Sequence, residues 1–444
     1  MTSPPPAPKR IKAGLEDQIF YWMTTQFDAQ NHAVMHMSGR LDEVVLEQAV
    51  HLALKAEPVL VCRYVPATWR QYWEPMAHPE KLKLVTMIAQ ETSLKDVQRF
   101  LEVYQPIDHL KGPQVHVYIL RGQADLLIVK ISHVVSDGGG VKDFCYLIAD
   151  IYTKLLTQPD YAPPVNPNPE RSLTQVTRHF KLWDMVKILG RSVKDLKGIF
   201  IPFIFRKPIV QHAEPGDRAY EILTLEKDAF NRLKAYAQSL NVTINDVITA
   251  LYFRAFYTCM NNDPRAFLRL VITVNLRRFI PGGKAASICG LSGFTYMNIG
   301  RHPGATLTDT VGLVHRHMNW IKNDYPGLGG SFPLTWLFFK TLPYKFSLYL
   351  HTLMSRQMQK QYIYPGNVAP LLTNTGVLEK SCLNFGGAYP ERLFFSAPLS
   401  YPPMFATTVT TYESEMTLCV GFCEKTLSRE TARRIFSRIM AELP

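Results

Sequence analysis

The stretch 114–140 constrains this chain most. From Gln114 to Leu120 and from Leu126 to Ile131, β-branched and aromatic residues flank the turn-forming run RGQAD, which predicts two antiparallel strands. The second strand runs straight into His133, in the run HVVSDGGG. Beyond Gly140 the apolar period changes. Phe144, Leu147, Ile148, Ile151, Tyr152 and Leu155 recur at the spacing of one buried helical stripe. A strand therefore delivers a histidine, a glycine-rich loop follows, and a helix leaves. A histidine at a strand end facing a cleft can accept a proton, while a buried Asp137 braces the bend through an ion pair. Gly138, Gly139 and Gly140 let the backbone approach a ligand closely, with amides available to an oxyanion.

On either side of this unit the patterning alternates between strand and helix. Leu15 to Phe27 reads as a helix and Ala33 to Ser38 as a strand. A helix follows with Asp42 as its N-cap, and Pro58 ends it. Ser93 caps a short helix to Glu102. The run PDYAPPVNPNP, from Pro159, divides the chain as a connector. Later come a strand at Ala219 to Leu225, helices at Lys227 to Leu240 and Ile244 to Tyr257, a strand at Leu268 to Val274, further helices and late strands, and a last helix capped by Ser428. At 444 residues the chain exceeds one ordinary core. The reading is an α+β protein with a disordered tail over 1–14, a first lobe over 15–170, a helical connector over 171–215 and a second lobe over 216–444.

A net charge of +12 points to an anionic partner: a nucleotide-bearing cosubstrate, an acidic carrier protein or a membrane surface. Nucleic acid is disfavoured, because no zinc-finger spacing and no basic run interleaved with stacking aromatics occurs. Seven scattered cysteines without a C-x-x-C pair read as reduced thiols in a cytoplasm. The N-terminal MTSPPPAPKRIKAG lacks the apolar core of a secretory signal, and no run of eighteen apolar residues predicts a spanning helix.

The segment GPQVHVYILRGQADLLIVKISHVVSDGGG resembles the active-site region of the HxxxDG acyltransferase superfamily, which includes nonribosomal peptide condensation domains, chloramphenicol acetyltransferase, alcohol acetyltransferases, polyketide-associated acyltransferases and wax ester synthases. Four more elements follow the superfamily's order: SGRLDEVVLEQAVHLALKAEPVL, TINDVITALYFRAF, LVITVNLRRF and LLTNTGVL. The resemblance implies two chloramphenicol acetyltransferase-like lobes in a V around a central tunnel. It implies His133 as general base, a structural Asp137 and Gly138, and Arg277 as the partner of Asp137, with the adjacent Arg278 as the alternative. Thr373, Asn374 and Gly376 are placed in the tunnel wall or in a plain turn.

Two departures separate the chain from peptide condensation domains. Ser132 stands where they carry a first histidine, and their DFGWG latch has no counterpart near Asn384 to Gly387. Free-standing ester-forming branches are therefore favoured. The expected reaction moves an acyl group from acyl-CoA or from a phosphopantetheine-linked carrier protein to a small alcohol. An amine acceptor, and a non-catalytic module that docks carrier protein or membrane, are the alternatives. No permanently bound cofactor, no metal and a monomer are expected. His315 and His317 read as members of a solvated helix, and Asn245 and Asp246 as residues of a helix start. The segments WDMVKILGRSVKDLKGIFIPFIFRK and PLTWLFFKTLPYKFSLYLHTLM are assigned to burial or a lipid channel, with peripheral membrane contact as the alternative.

Overall fold

The hairpin read from the sequence forms the centre of the first half. In the computed structural model Val115–Arg121 and Asp125–Ser132 pair antiparallel, with Val117 opposite Val129 and Ile119 opposite Leu127. The structure describes residues 10–24, 27–89, 93–166, 169–199, 205–206, 218–259, 261–262, 269–329, 341–350, 352–353, 367–401, 404–424 and 427–444. Every residue of Asp125–Ser132 is buried, because both faces of this strand are covered. Leu127, Val129 and Ile131 pack on Phe144, Ile148 and Ile151, whereas Leu126 and Ile128 meet Val97, Leu101 and Tyr220. The five-stranded sheet runs Pro390–Ser396, Gln30–Met37, Asp125–Ser132, Val115–Arg121, Val85–Ala89.

Local chemistry explains the helices on this sheet. The Asp42 carboxylate accepts the Val44 and Val45 amides at 2.8 and 3.0 Å, which starts Glu43–Ala56. That helix buries Leu46, Ala49, Val50, Ala53 and Leu54 and packs on Gly138–Thr157. Leu46, Val50 and Leu54 each contribute about 1.5 to 3 kcal/mol when fully buried. The glycines at 138–140 are the first turn of Gly138–Thr157, not the expected loop. The reason is Asp137, whose carboxylate accepts the Gly140 amide at 2.9 Å and caps the helix one residue earlier.

The second half is also α+β. Its main sheet runs Asn261–Asn262, Phe205–Arg206, Asn367–Leu378, Met404–Tyr412, Glu415–Cys423, Arg218–Leu225. Arg269–Asn275 lies parallel to Asn367–Leu378 and pairs antiparallel with Ser292–Asn298. Helices Ile244–Cys259, Leu307–Lys322 and Arg429–Ala441 pack together and share a core with these strands.

Three further expectations change. Ile11–Lys12 pairs with Tyr72 and Trp73, so this end of the 1–14 tail is a strand; residues 1–9 lie outside the described ones. Pro390–Ser396 falls in the second half of the sequence yet pairs with Gln30–Met37 of the first sheet. It covers the edge of a buried strand that would otherwise hold unpaired backbone groups. Finally, Leu182–Ile199, expected to be buried, turns Ile188, Arg191 and Ser192 inward and leaves Leu182, Trp183, Leu189 and Val193 exposed. The second aromatic segment, around 333–354, lies largely outside the described residues. Among the described residues no helix is long and apolar enough to cross a membrane.

A buried ion pair that the sequence did not announce joins the start of the connector to the first half. Arg171 donates through Nη2 and Nε to the two carboxylate oxygens of Asp17 at 2.6 and 2.9 Å, and both side chains are almost wholly buried. The remaining lone pairs of Asp17 take Trp73 Nε1 and the Gly14 amide, each at 2.8 Å. Removing one partner strands a desolvated charge, so Arg171→Ala is expected to cost about 3 to 5 kcal/mol in urea-induced unfolding. An unchanged unfolding midpoint would contradict this.

Candidate active site

The ladder of the first sheet carries His133 into position. Its backbone amide donates to Ala29 O at 2.7 Å, just past the last strand residue. The imidazole stacks on Phe20, with centroids 4.1 Å apart and an interplanar angle of 27°, and Phe27 lies 5.7 Å away. Nδ1 is 3.0 Å from Ser136 O. A carbonyl only accepts, so Nδ1 carries a proton, and in the neutral ring Nε2 keeps its lone pair. Asn31 Nδ2 donates to the same carbonyl at 3.1 Å and helps hold it in place. Burial lowers the His133 pKa from its ordinary value against the opposing pull of Asp137, so the ring is neutral near pH 7.

Asp137 faces away from the imidazole nitrogens and into a set of donors. Oδ2 accepts Arg277 Nη1 at 2.9 Å, the Leu291 amide at 2.8 Å and Ser292 Oγ at 2.8 Å, while Oδ1 takes the Gly140 amide. Burial by itself would raise this carboxyl, but Arg277 and the backbone donors outweigh it and hold the pKa down to about 2. Arg277 also donates to Cys289 O at 2.8 Å. The pair therefore crosses from the first half to the second. Arg278, the alternative partner, points elsewhere: it is exposed, with its guanidinium 5.7 Å from the Phe279 ring.

This packing makes two of the glycines obligatory. A Cβ on Gly139 would lie 2.5 Å from Arg277 Nη1, and one on Gly140 would lie 2.2 Å from Ser136 Oγ and 3.1 Å from Cys289 O. Gly138 has ordinary clearance and forms part of the cavity wall.

That cavity, of about 90 Å³, lies between the halves. His133, Asp137 and Gly138 form one side, with Phe20, Met23 and Phe27 beside them, and Thr273, Ser292, Phe294, Leu371 and Met404 come from the second half. Thr373 and Thr375 line it, but Asn374 and Gly376 do not, because alternate strand residues point to opposite faces. Asn374 instead accepts the Gly376 amide at 2.8 Å and donates to Asn245 Oδ1 at 2.9 Å, at a bulge where Gly376 has φ +78°. Thr373 Oγ1 accepts from Thr273 Oγ1 at 2.6 Å. Away from this site, Asp246 forms a reciprocal cap with Thr243 and accepts His315 Nδ1 at 3.0 Å, while His317 is half-buried, so neither histidine belongs to a simply solvated face. Among the described residues no cluster of three or more His, Cys, Asp or Glu could hold a metal ion.

No family model and no curated protein matches the chain. Solved structures do. Polyketide synthase associated protein 5 from Mycobacterium tuberculosis matches with a TM-score of 0.67 at 14% identity, over 97% of this chain and 98% of that one. The first condensation domain of the calcium-dependent antibiotic synthetase, in complex with a substrate analogue, matches with a TM-score of 0.68 at 14% identity, over 98% of each chain. The chain has the condensation-domain fold. The starter condensation domain of rhizomide synthetase, in complex with C8-CoA and Leu-SNAC, shares it with a TM-score of 0.66 at 12% identity, over 98% of this chain and 94% of that one.

Within this condensation-domain fold, several cavity and bracing residues escaped the sequence reading. Phe20 sits one helical turn after Glu16 on an otherwise unremarked helix, and Asn31 and Ser292 are polar residues at strand starts, a signal too common to single them out. Arg171 reaches Val135 O at 2.6 Å, bracing the loop after His133. Nothing in its proline-rich surroundings marked it.

The depressed pKa of Asp137 has a measurable consequence. Its stabilisation is complete above the unfolded carboxylate value of about 3.9 and is lost as pH falls through about 2. The stability difference between the wild type and Asp137→Asn should therefore be constant from about pH 7 to 5 and narrow below about pH 4. Denaturation curves in which the full difference persists at the lowest pH would rule this out.

Proposed function

We propose that this chain is an acyltransferase that moves an acyl group from a thioester, carried by CoA or by the phosphopantetheine of a carrier protein, to a hydroxyl acceptor. The observation that carries the reading is the Nδ1 hydrogen bond of His133 to Ser136 O. It selects the tautomer in which the neutral imidazole, favoured by burial, has a bare Nε2, on a residue that lines a largely apolar cavity. The fold shared with a starter condensation domain in complex with C8-CoA supports a CoA thioester as donor.

In this mechanism His133 Nε2 takes the hydroxyl proton as the acceptor oxygen bonds to the thioester carbonyl carbon. The tetrahedral oxyanion is stabilised by the amino end of Gly138–Thr157, whose first residue lines the cavity and whose macrodipole favours negative charge. When the carbon–sulfur bond breaks, the imidazolium returns the proton to the departing thiolate, and ester and thiol leave. Asp137 does not contact the reacting atoms in this scheme. It shapes the loop through Arg277, and its negative charge favours the transient imidazolium.

Thiol release from short- and long-chain acyl-CoAs, with alcohols and amines offered in parallel, tests the reading. His133→Ala should lose roughly 10²- to 10⁴-fold in turnover. Because the base must be unprotonated and its pKa lies below 6.5, kcat/KM should stay level down to about pH 6.5 and fall only at more acidic pH. Wild-type turnover in His133→Ala would overturn the mechanism, and turnover with amines alone would replace the ester by an amide.

A further inference from the structure

The helix Leu182–Ile199 leaves several large apolar side chains in water over its first twelve residues. Its outward face carries Leu182, Trp183, Leu189 and Val193 at 82, 70, 59 and 55% exposure, with Met185 and Val186 between them. Its inward face holds Ile188, in a core with Leu173, Val176 and Leu276, beside two polar side chains, Arg191 and Ser192. Arg191 donates to Asp324 Oδ2 and Asp324 O at 3.0 Å and to Thr295 Oγ1 at 3.3 Å, and its guanidinium lies 4.4 Å from the Trp320 ring. Rolling the helix to bury its leucines would break the ion pair with Asp324, withdraw Arg191 from Thr295 and Trp320, and bring the buried Ile188 into water. The chain is thus held with apolar side chains in water from Leu182 to Val193, a rise of roughly 17 Å along the helix. A stripe of this kind on a soluble surface marks a contact site.

We infer that this face docks on an anionic lipid surface. Two features favour lipid over a protein partner. The stripe offers large aliphatic groups and one tryptophan, and among its exposed side chains between Met185 and Val193 only Lys187 is polar, whereas protein interfaces carry a regular supply of hydrogen bonds. Lys181 and Lys187 are exposed beside it. This is the arrangement of a helix lying in a membrane interface, with tryptophan and leucine below and lysines at the headgroups. Its location fits a role. Thr295, which receives Arg191, lies on Ser292–Asn298, the strand whose Ser292 and Phe294 line the cavity. A docked helix would hold the cavity against the lipid. The docking does not depend on the acyl-transfer reading.

Co-sedimentation of the full chain with vesicles of phosphatidylcholine alone, or of phosphatidylcholine with phosphatidylglycerol, tests this. Pelleting is expected with the anionic vesicles, reduced by added salt and accompanied by a blue shift of tryptophan emission that is lost in Trp183→Phe. Leu189→Asp and Val186→Asp should each lower the partition coefficient about tenfold or more. Because both side chains already face water, the thermal midpoints of these variants should match the wild type. Wild type that stays in the supernatant with both vesicles, or variants that pellet as it does, would overturn the inference. A dimer seen by analytical ultracentrifugation and dissolved by Leu189→Asp would overturn it too, by assigning the face to a second copy.

Discussion

The buried pair of Asp137 and Arg277 is the interaction on which the site depends. One carboxylate caps the helix that leaves the active loop, closes on a guanidinium from the second half, and takes a backbone amide and a hydroxyl from the strand edge beyond. A desolvated charge is tolerable only when its lone pairs are filled, so these four donors must arrive together. Meeting that demand brings the two halves into register at the point where His133 stands.

The loop between His133 and Asp137 is pinned at three successive residues. Val135 O is held by Arg171, Ser136 O by Asn31 and by His133 itself, and the Asp137 side chain by Arg277. Each anchor comes from a different segment of the chain. The result is an imidazole with a defined tautomer and orientation before any substrate binds, which is what a general base requires. Phe20 and Phe27 add a stacked, apolar setting that favours the neutral ring.

The strand Pro390–Ser396 binds the halves in a second way. It leaves the second sheet's part of the chain, completes the first sheet beside Gln30–Met37, and the chain returns at Met404–Tyr412. Phe395 and Ala397 from this excursion line the cavity together with Met404 and Ala406. Cavity shape is therefore set by the crossing itself.

Local pattern settled much of this protein. The period-2 runs around RGQAD, the helical stripe from Phe144 to Leu155, and the caps at Asp42, Ser93 and Ser428 needed only neighbours in sequence, and all formed. The motif around His133 likewise singled out a histidine that lies on the cavity wall. Tertiary structure decided the rest. The choice of Arg277 over Arg278 turned on a 3-10 turn at Leu276–Phe279 that buries one and exposes the other. The separation of Thr373 from Asn374 turned on which strand face met the cavity, and the Arg171–Asp17 pair joins residues 154 positions apart. The outward leucines of Leu182–Ile199 look from sequence like any buried helix; the contacts of Arg191 with Asp324, Thr295 and Trp320 and the burial of Ile188 fix which side faces in. Short-range periodicity and capping are properties of adjacent residues, whereas the partner of a buried charge and the face a helix presents are set by what the folded chain brings alongside.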